Sequence, residues 1–544
     1  MQKLFNNKIL NGSPVQSVAG AALIISFAGI ISRLLGMLRD RILASQFGAG
    51  DTLDIYYAAF RVPDLVYSLL VVGALSAAFV PVFTELVARH KKEKAWELAS
   101  EILNLMVAAV IFISFFLALF APFVMKLVVP GFSENKLASA AMFTRIMFLS
   151  PLFLGISAVF GGILVSFKKF LAYSLAPIMY NLGIIIGAVF LVKIMGPIGL
   201  AWGVALGAGM HMLIQYPAVK LSGFHYQLNF RKSFRDENAR KVIRLMIPRS
   251  MGMAVTQINM LVITIFASIL TSGSLAVFNF ANNIQSVPLG LFGISFAVAA
   301  FPHLSSLAAE KSKKEFIRIF SRTFRRIIFF VAPLSLLIFV LRAEIVRVIL
   351  GAGKFDWEDT VLTLQVLGIL SLSLIAQSLI PLLARAFYAL QNTKIPFYIA
   401  LASEAVNITI VVLLIKKYEV MGLAAAFSAA SALNAGLLIL ALKNKLGELD
   451  GRRIVRSAGK IALASLAAGI VAQTSRYLAS FFVDLETFFE VFFQLVFSGG
   501  MGIAAFFLMC CYLRVEEFYD FKKSIFIRIF GYPTDVIKDP NEIK

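Results

Sequence analysis

The stretch ISRLLGMLRDRILASQFGAGDTLDIYYAAFRVPDL, Ile31–Leu65, decides how this chain is read. AALIISFAGI lies before it and LLVVGALSAAFVP after it, and both have the apolar continuity of helices that span hydrocarbon. Between them stand Arg33, Arg39, Asp40 and Arg41, then Asp54, Arg61 and Asp64. A charge inside a membrane costs about 2.5–3.5 kcal/mol on insertion scales, so it normally faces an internal cavity rather than lipid. Charges gathered in this way imply a membrane protein with a polar interior.

The remainder of the 544 residues agrees. Hydrophobic residues make up 59% and charged residues 15%, with a mean hydropathy of +0.85, whereas soluble domains are about half apolar and a quarter charged. Apolar stretches of the roughly 20 residues that a spanning helix needs recur from Ala21 to Leu513. The expected fold is an all-α polytopic membrane protein with about 14 transmembrane helices.

The net charge of +21 is distributed by loop. Breaks after even-numbered helices hold Arg89, Lys91, Lys92 and Lys94, then Lys168 and Lys169, then Arg231 to Lys241, Lys311 to Arg318, Lys394, and Lys443 to Arg456. The breaks between them, such as FGAGDTLD, PGFSEN and TSGS, hold almost no cations. This positive-inside pattern places both termini in the cytosol and leaves no need for a nucleic-acid partner. Lys3 and Lys8 precede an apolar run, but no small-residue cleavage site follows, so the first helix is expected to remain uncleaved. Cys510 and Cys511 are adjacent in the last apolar span, where they cannot staple distant elements and are expected to face lipid. His90, His211, His225 and His303 lack metal-ligand spacing, so no metal is expected.

An internal repeat divides the chain. GGILVSFKKFLAYSLAPIMYNLGIIIGAVFLVK aligns with FYALQNTKIPFYIALASEAVNITIVVLLIKKYE, pairing Lys168 with Lys394 and Asn181 with Asn407, and Gly199–Gly203 meets Gly422–Ala426 after a three-residue shift. AAFVPVFTEL at Ala77–Leu86 resembles AAFPHLSSLA at Ala299–Ala308. Two six-helix lobes of the same orientation follow, as in parallel-repeat transporters. The expected organisation is an N-terminal lobe at 1–222, a cytosolic linker at 223–241, a C-terminal lobe at 242–446, two further helices at 447–513, and a cytosolic tail at 514–544. In the tail, Phe518, Phe521, Ile525 and Ile529 share one helical face, which suits either an interfacial helix on anionic lipid or a helix packed on the lobes.

Within the first helix, Gly29, Arg33, Gly36 and Asp40 form one stripe at 100° per residue, with Arg39 about 120° away from it. One reading is an internal Arg33–Asp40 salt bridge with Arg41 snorkelling to the surface. The other is a cationic cavity for an anionic head group, for which arginine suits because its fork grips phosphate oxygens in pairs and keeps its proton.

SRLLGMLRDRILASQFGAG with Asp54, YYAAFRVPDL, GALSAAFVPVF, VVPGF at Val128–Phe132, TQIN at Thr256–Asn259, GAGKFDWEDT at Gly351–Thr360 and RAFYALQNTKIP at Arg385–Pro396 together resemble the lipid II flippases (MurJ, formerly MviN). These belong to the multidrug/oligosaccharidyl-lipid/polysaccharide exporter superfamily. The resemblance covers nearly the whole chain. It implies a V-shaped, two-lobed carrier in the bacterial cytoplasmic membrane, a central cationic cavity, a groove from the last two helices for a polyprenyl tail, and export of a polyprenyl-pyrophosphate-linked peptidoglycan precursor by alternating access.

Carried over residue by residue, the resemblance assigns Arg33, Arg39, Asp40 and Arg61 to substrate binding and Asp54 to the gate. The family's basic pair on the second helix falls on Tyr67 and Ser68, a nearby acid on Val72, and its eighth-helix arginine on Asn283. Arg249 either restores a cation to the cavity or ends a helix in the cytosol. No GxxxxGK[ST] is present, so energy is expected from a Na+ or H+ gradient or from the membrane potential, with no cofactor. An acid associated with sodium in relatives reads Ile263 here. Glu404, three residues before Asn407, is the ion-coupling candidate in the eleventh helix, or pairs with a polar group on a neighbouring helix. No cluster of acids or His/Asp pair suggests an enzyme. The expected function is a monomeric lipid II flippase among membrane lipids; the alternatives are a drug or ion antiporter of the superfamily, a flippase for another lipid-linked saccharide, and a membrane enzyme or scaffold.

Overall fold

The computed structural model describes residues 18–72, 79–227, 242 and 257–530, without the side chains of 18–23, 72 and 524–530. These residues are helical with short turns, and no strand occurs among them. Among the described residues, eight helices are long and apolar enough to cross a bilayer, or nine when Trp357–Leu372 and Leu374–Ala389, bent by 46°, count as one span. Two of the eight, Phe170–Lys220 and Lys394–Leu446, have 51 and 53 residues. At 1.5 Å per residue either would be over twice as long as a hydrocarbon core is thick. Each is broken midway, at Gly196 (φ +68°) and Glu419 (φ +46°).

The described residues form two compact units, Met1–Ala276 with Ala352–Phe355, and Val277–Gly351 with Asp356–Lys544. The first has an aromatic core in which Trp96 stacks on Phe167 at 5.5 Å and packs against Phe83 and Phe224. A close seam in it joins the fifth and sixth spans, the two arms of Phe170–Lys220 on either side of Gly196. A Cβ on Gly183 would lie 2.2 Å from the Cα of Gly207, and one on Gly187 would lie 2.3 Å from the Cα of Gly203, so only glycine allows the backbones to touch. In the second unit, Gly451–Ser480 packs along Lys313–Val340 and against Phe488–Tyr512.

The two halves repeat in their irregularities as well as in their helices. A π-helical stretch begins at Ser68 in the second span and at Leu289 in the eighth, 221 residues later. The turns after these spans are alike: His90 and Lys311 have positive φ, and in each turn the following residue's N–H closes the helix end, Lys91 onto Leu86 O and Ser312 onto Leu307 O. A second pair of such turns stands at Lys168 and Gln391. The turn matching Lys168 is therefore Gln391 and not Lys394, the residue that sequence alignment pairs with it, because the second half gains three residues here. Cys510 is buried while Cys511 is exposed, so only one thiol faces outward as expected.

Candidate functional site

In the first unit, Val18–Phe47 carries Arg33, Arg39 and Asp40. Asp40 pairs with its neighbour Arg39, whose Nη2 and Nε donate to Asp40 Oδ1 at 2.8 and 3.0 Å. Arg39 and Asp40 are thus an ion pair of sequence neighbours. Arg39 Nη1 also donates to Asn181 Oδ1 (3.2 Å) on the fifth span. Asn181 is oriented by donating to Pro177 O at 3.1 Å and Ser32 O at 3.3 Å. The side chains are 20% and 7% exposed for Arg39 and Asp40, so this is a largely sheltered pair held across two helices. Arg33 is half-buried on the same helix.

Arg61, in Asp51–Tyr67, donates to Thr264 Oγ1 at 2.7 Å. Two turns on, Ser68 accepts from Gln257 Nε2 at 2.5 Å. Arg249 lies outside the described residues, as do residues 228–241 of the linker.

Asp54 is 3% exposed. Its two oxygens accept from the backbone N–H groups of Gly273 (2.7 Å) and Ala276 (2.9 Å), so a carboxylate from another helix caps the start of Ser274–Pro288. Around this cap the loops meet at backbone distance. Gly273 has φ +89°, and a Cβ there would fall 1.9 Å from Ala49 O; Lys354 N–H donates to Ser45 O at 2.8 Å. Asp51 adds Lys136 at 2.5 Å and the Ser272 hydroxyl. Partial burial works to raise the Asp51 carboxyl, but those two partners outweigh it and hold it below its ordinary value. Together these contacts bring one buried carboxylate and closely fitted loops into one cluster.

In the second unit, Asn283 is half-buried on the eighth span, and its carbonyl accepts from Ser286 Oγ at 2.7 Å. Beside it runs a polar chain: Gln285 donates to Asn282 at 3.1 Å, while Gln285 and Gln377 meet at 3.4 Å. Gln377 in turn donates to Ser373 at 2.8 Å. The chain is built of amides and a hydroxyl. Glu404 and Asn407 are both buried, and Asn407 Nδ2 donates to Glu404 Oε1 at 3.2 Å. Asn407 Oδ1 has no hydrogen-bond partner among the described residues. The repeat-related asparagines thus do opposite jobs: Asn181 offers oxygen to an arginine and Asn407 offers hydrogen to a glutamate.

A cavity of about 530 Å³ lies between Lys313–Val340 and Gly451–Ser480, lined by Leu336, Phe339, Leu466 and Ile470, with Arg342, Gln473 and Arg476 among its polar lining. Arg476 faces Glu344 at 3.4 Å and donates to Val340 O at 3.3 Å. Sequence reasoning placed an apolar groove against these last helices but did not identify its arginines, because charges near a helix end read as ordinary interfacial residues.

Residues 43–493 match the family model described as lipid II flippase MurJ. The chain belongs to the lipid II flippase MurJ family. Among curated MurJ relatives, it is 28% identical to the probable lipid II flippase MurJ of Buchnera aphidicola subsp. Baizongia pistaciae, over 91% of this chain and 97% of the relative. It is 27% identical to the lipid II flippase MurJ of Burkholderia cenocepacia, over 78% and 84%. A solved structure of lipid II flippase MurJ in an inward closed conformation superposes with a TM-score of 0.72 at 25% identity, over 90% of this chain and 99% of that one. An inward-facing multidrug MATE transporter of the MOP superfamily, at 15% identity and a TM-score of 0.65 over 79% and 99%, shares the fold. MurJ membership therefore rests on sequence along most of the chain, and the superfamily fold on shape.

Proposed function

We propose that this protein is a flippase that carries a polyprenyl-pyrophosphate-linked peptidoglycan precursor, lipid II, from the inner to the outer leaflet of a bacterial cytoplasmic membrane. The observation that carries this reading is the family match over residues 43–493. The chain's own chemistry supports it. Arg33, Arg39 and Arg61 are guanidiniums on the first two spans, the residue type that grips a pyrophosphate, and Asp40 with Asn181 sets the orientation of Arg39. The cavity against Gly451–Ser480 is apolar along Leu336, Leu466 and Ile470, which suits an isoprenoid chain.

Alternating access requires a latch that can be undone, and Asp54 on Gly273 and Ala276 is that latch on the outer side. No covalent step is needed. The protein acts as a monomer with both termini in the cytosol, and the driving force is the membrane potential, worth about 2.3 kcal/mol per charge per 100 mV, or a coupled ion. Glu404 with the open Asn407 Oδ1 offers two oxygens to such an ion; for Na+, carbonyl oxygens or water would complete the set, whereas a proton needs Glu404 alone.

Purified protein should retain a polyprenyl-pyrophosphate lipid detectable by mass spectrometry, and proteoliposomes containing it should move a labelled lipid II between leaflets. Retention of lipophilic cations in place of pyrophosphate lipids, with no lipid II movement, would replace this reading with the drug antiporter that the amides near Asn283 would tolerate.

A further inference from the structure

The C-terminal helix Glu516–Phe530 lies beyond the family match and packs on the second unit. Arg325, 5% exposed on Lys313–Val340, donates from Nη1 to Glu517 and to Glu516 Oε2 at 3.0 Å. Arg453 grips the same Glu516 oxygen at 2.7 Å, and Ser457 Oγ donates to Glu517 Oε2 at 2.7 Å. Arg326 reaches Asp520 at 3.0 Å, with Arg322 at 3.7 Å. Alongside these charges the tail's Phe521 packs on Phe330 (5.3 Å) and Phe507 (6.3 Å), and Phe518 packs on Phe507 (5.8 Å).

Without its tail this surface would be a basket of four guanidiniums and a hydroxyl beside an aromatic wall. Such a basket demands an anion. With the tail docked Arg325 is 5% exposed, and removing only the charge of its partners there would leave a buried guanidinium unpaired, at about 3–5 kcal/mol. Its Nε is also buried with no partner among the described residues, so the carboxylates there do not satisfy all the donors the basket presents. A phosphate, with more acceptor oxygens around one centre, matches forked guanidiniums better than separate carboxylates do. Lipid is close at hand: Leu508 and Tyr512, on the helix that carries Phe507, are 73% and 80% exposed. The position also falls at the helix ends that the charge pattern assigns to the cytosolic leaflet, which is rich in anionic lipid.

We infer that the basket of Arg322, Arg325, Arg326, Arg453 and Ser457 is a binding site for the phosphate of an anionic phospholipid, and that the C-terminal helix is its built-in competitor. Glu516, Glu517 and Asp520 stand in for the phosphate, and Phe518 and Phe521 stand in for the acyl chain. Lipid binding and tail docking exclude each other, so the lipid composition of the inner leaflet sets how long the tail stays down.

The test uses the full chain in nanodiscs of phosphatidylglycerol or phosphatidylcholine, with retained lipid counted by native mass spectrometry. E516Q/E517Q/D520N keeps the helix but removes its charge, and should raise phosphatidylglycerol retention about tenfold over the parent. Adding R322Q/R326Q/R453Q to that variant should return retention to the parental level. Equal retention in parent and triple variant, or a rise shared by phosphatidylcholine, would overturn the proposal. Glycerophosphoglycerol and inorganic phosphate serve as soluble competitors. Displacement of the lipid by either at equimolar concentration would overturn the lipid assignment and leave a plain phosphate site.

Discussion

Asp54→Asn tests the latch most directly. The amide keeps one acceptor and puts an NH2 where the second oxygen stood, facing either the Gly273 or the Ala276 N–H. One charge-assisted hydrogen bond is lost, at about 1.5–3 kcal/mol, and the survivor becomes neutral, at about 1 kcal/mol more. Water cannot replace the loss, because Asp54 is 3% exposed. The sum, about 2.5–4 kcal/mol, corresponds to a roughly 70- to 900-fold shift toward the unlatched state. Ala276 is 0% exposed, so in an Ala276→Cys background a membrane-impermeant maleimide applied from outside reports that state. Labelling should accelerate by about that factor when Asp54→Asn is added. A rate within about threefold of the Asp54 parent would show that the carboxylate does not hold this loop closed.

Arg39→Ala should weaken binding of a polyprenyl-pyrophosphate lipid by about 10- to 150-fold, with Arg39→Lys recovering part of the loss; if Arg39 only braces Asn181, the thermal midpoint will fall and the affinity will not. Ile470→Trp places an indole in the 530 Å³ groove, and should abolish binding of the long-chain lipid while sparing a soluble pyrophosphate head group; equal loss of both would mean that the groove is not where the tail lies. Tail docking should depend on acid: burial opposes the Glu516 charge, but Arg453 and Arg325 outweigh it and hold the carboxyl below its ordinary value of about 4.5. The released tail then binds more protons than the docked one, so docking is at full strength above about pH 4.5 and weakens as the pH falls below it. Proteolysis between Cys511 and Glu516 should speed up over that range, and a rate unchanged down to pH 3.5 would contradict the ion-pair assignment.

Much of the fold was legible because lipid imposes a simple grammar. A span needs about twenty apolar residues, cations gather in alternate breaks, and the repeat shows in the alignment of Asn181 with Asn407. The site was legible by residue and illegible by partner. A helical wheel separates Arg39 from Asp40 by 100° and treats side chains as rays, whereas a guanidinium on its long stem can swing back to a neighbouring carboxylate when a second helix confines both. Asp54 stood out as a charge, yet its role depends on Gly273 bringing a distant loop to backbone contact, which no local pattern encodes. The tail's acids drew no reading for the same reason: Arg325 lies almost two hundred residues away from Glu516. The repeat's register at Gln391 was missed because sequence alignment rewards matching lysines, while the fold conserves the backbone turn.

The glycine seam between the fifth and sixth spans makes the two halves mechanically unequal. With backbone against backbone at Gly183–Gly207 and Gly187–Gly203, that hairpin has no side chains between its strands of helix that could change rotamer, so it resists shear and turns as one stiff plank. Its counterpart in the second half retains Gly422, where a Cβ would still stand 3.1 Å from Leu414, and crosses its bend at Glu419 with a positive φ that glycine would have relieved. The Lys394–Leu446 hairpin, which lacks that run of facing glycines, is therefore expected to carry more of the compliance in a transport cycle. Two lobes copied from one ancestral pattern have become a lever and a spring.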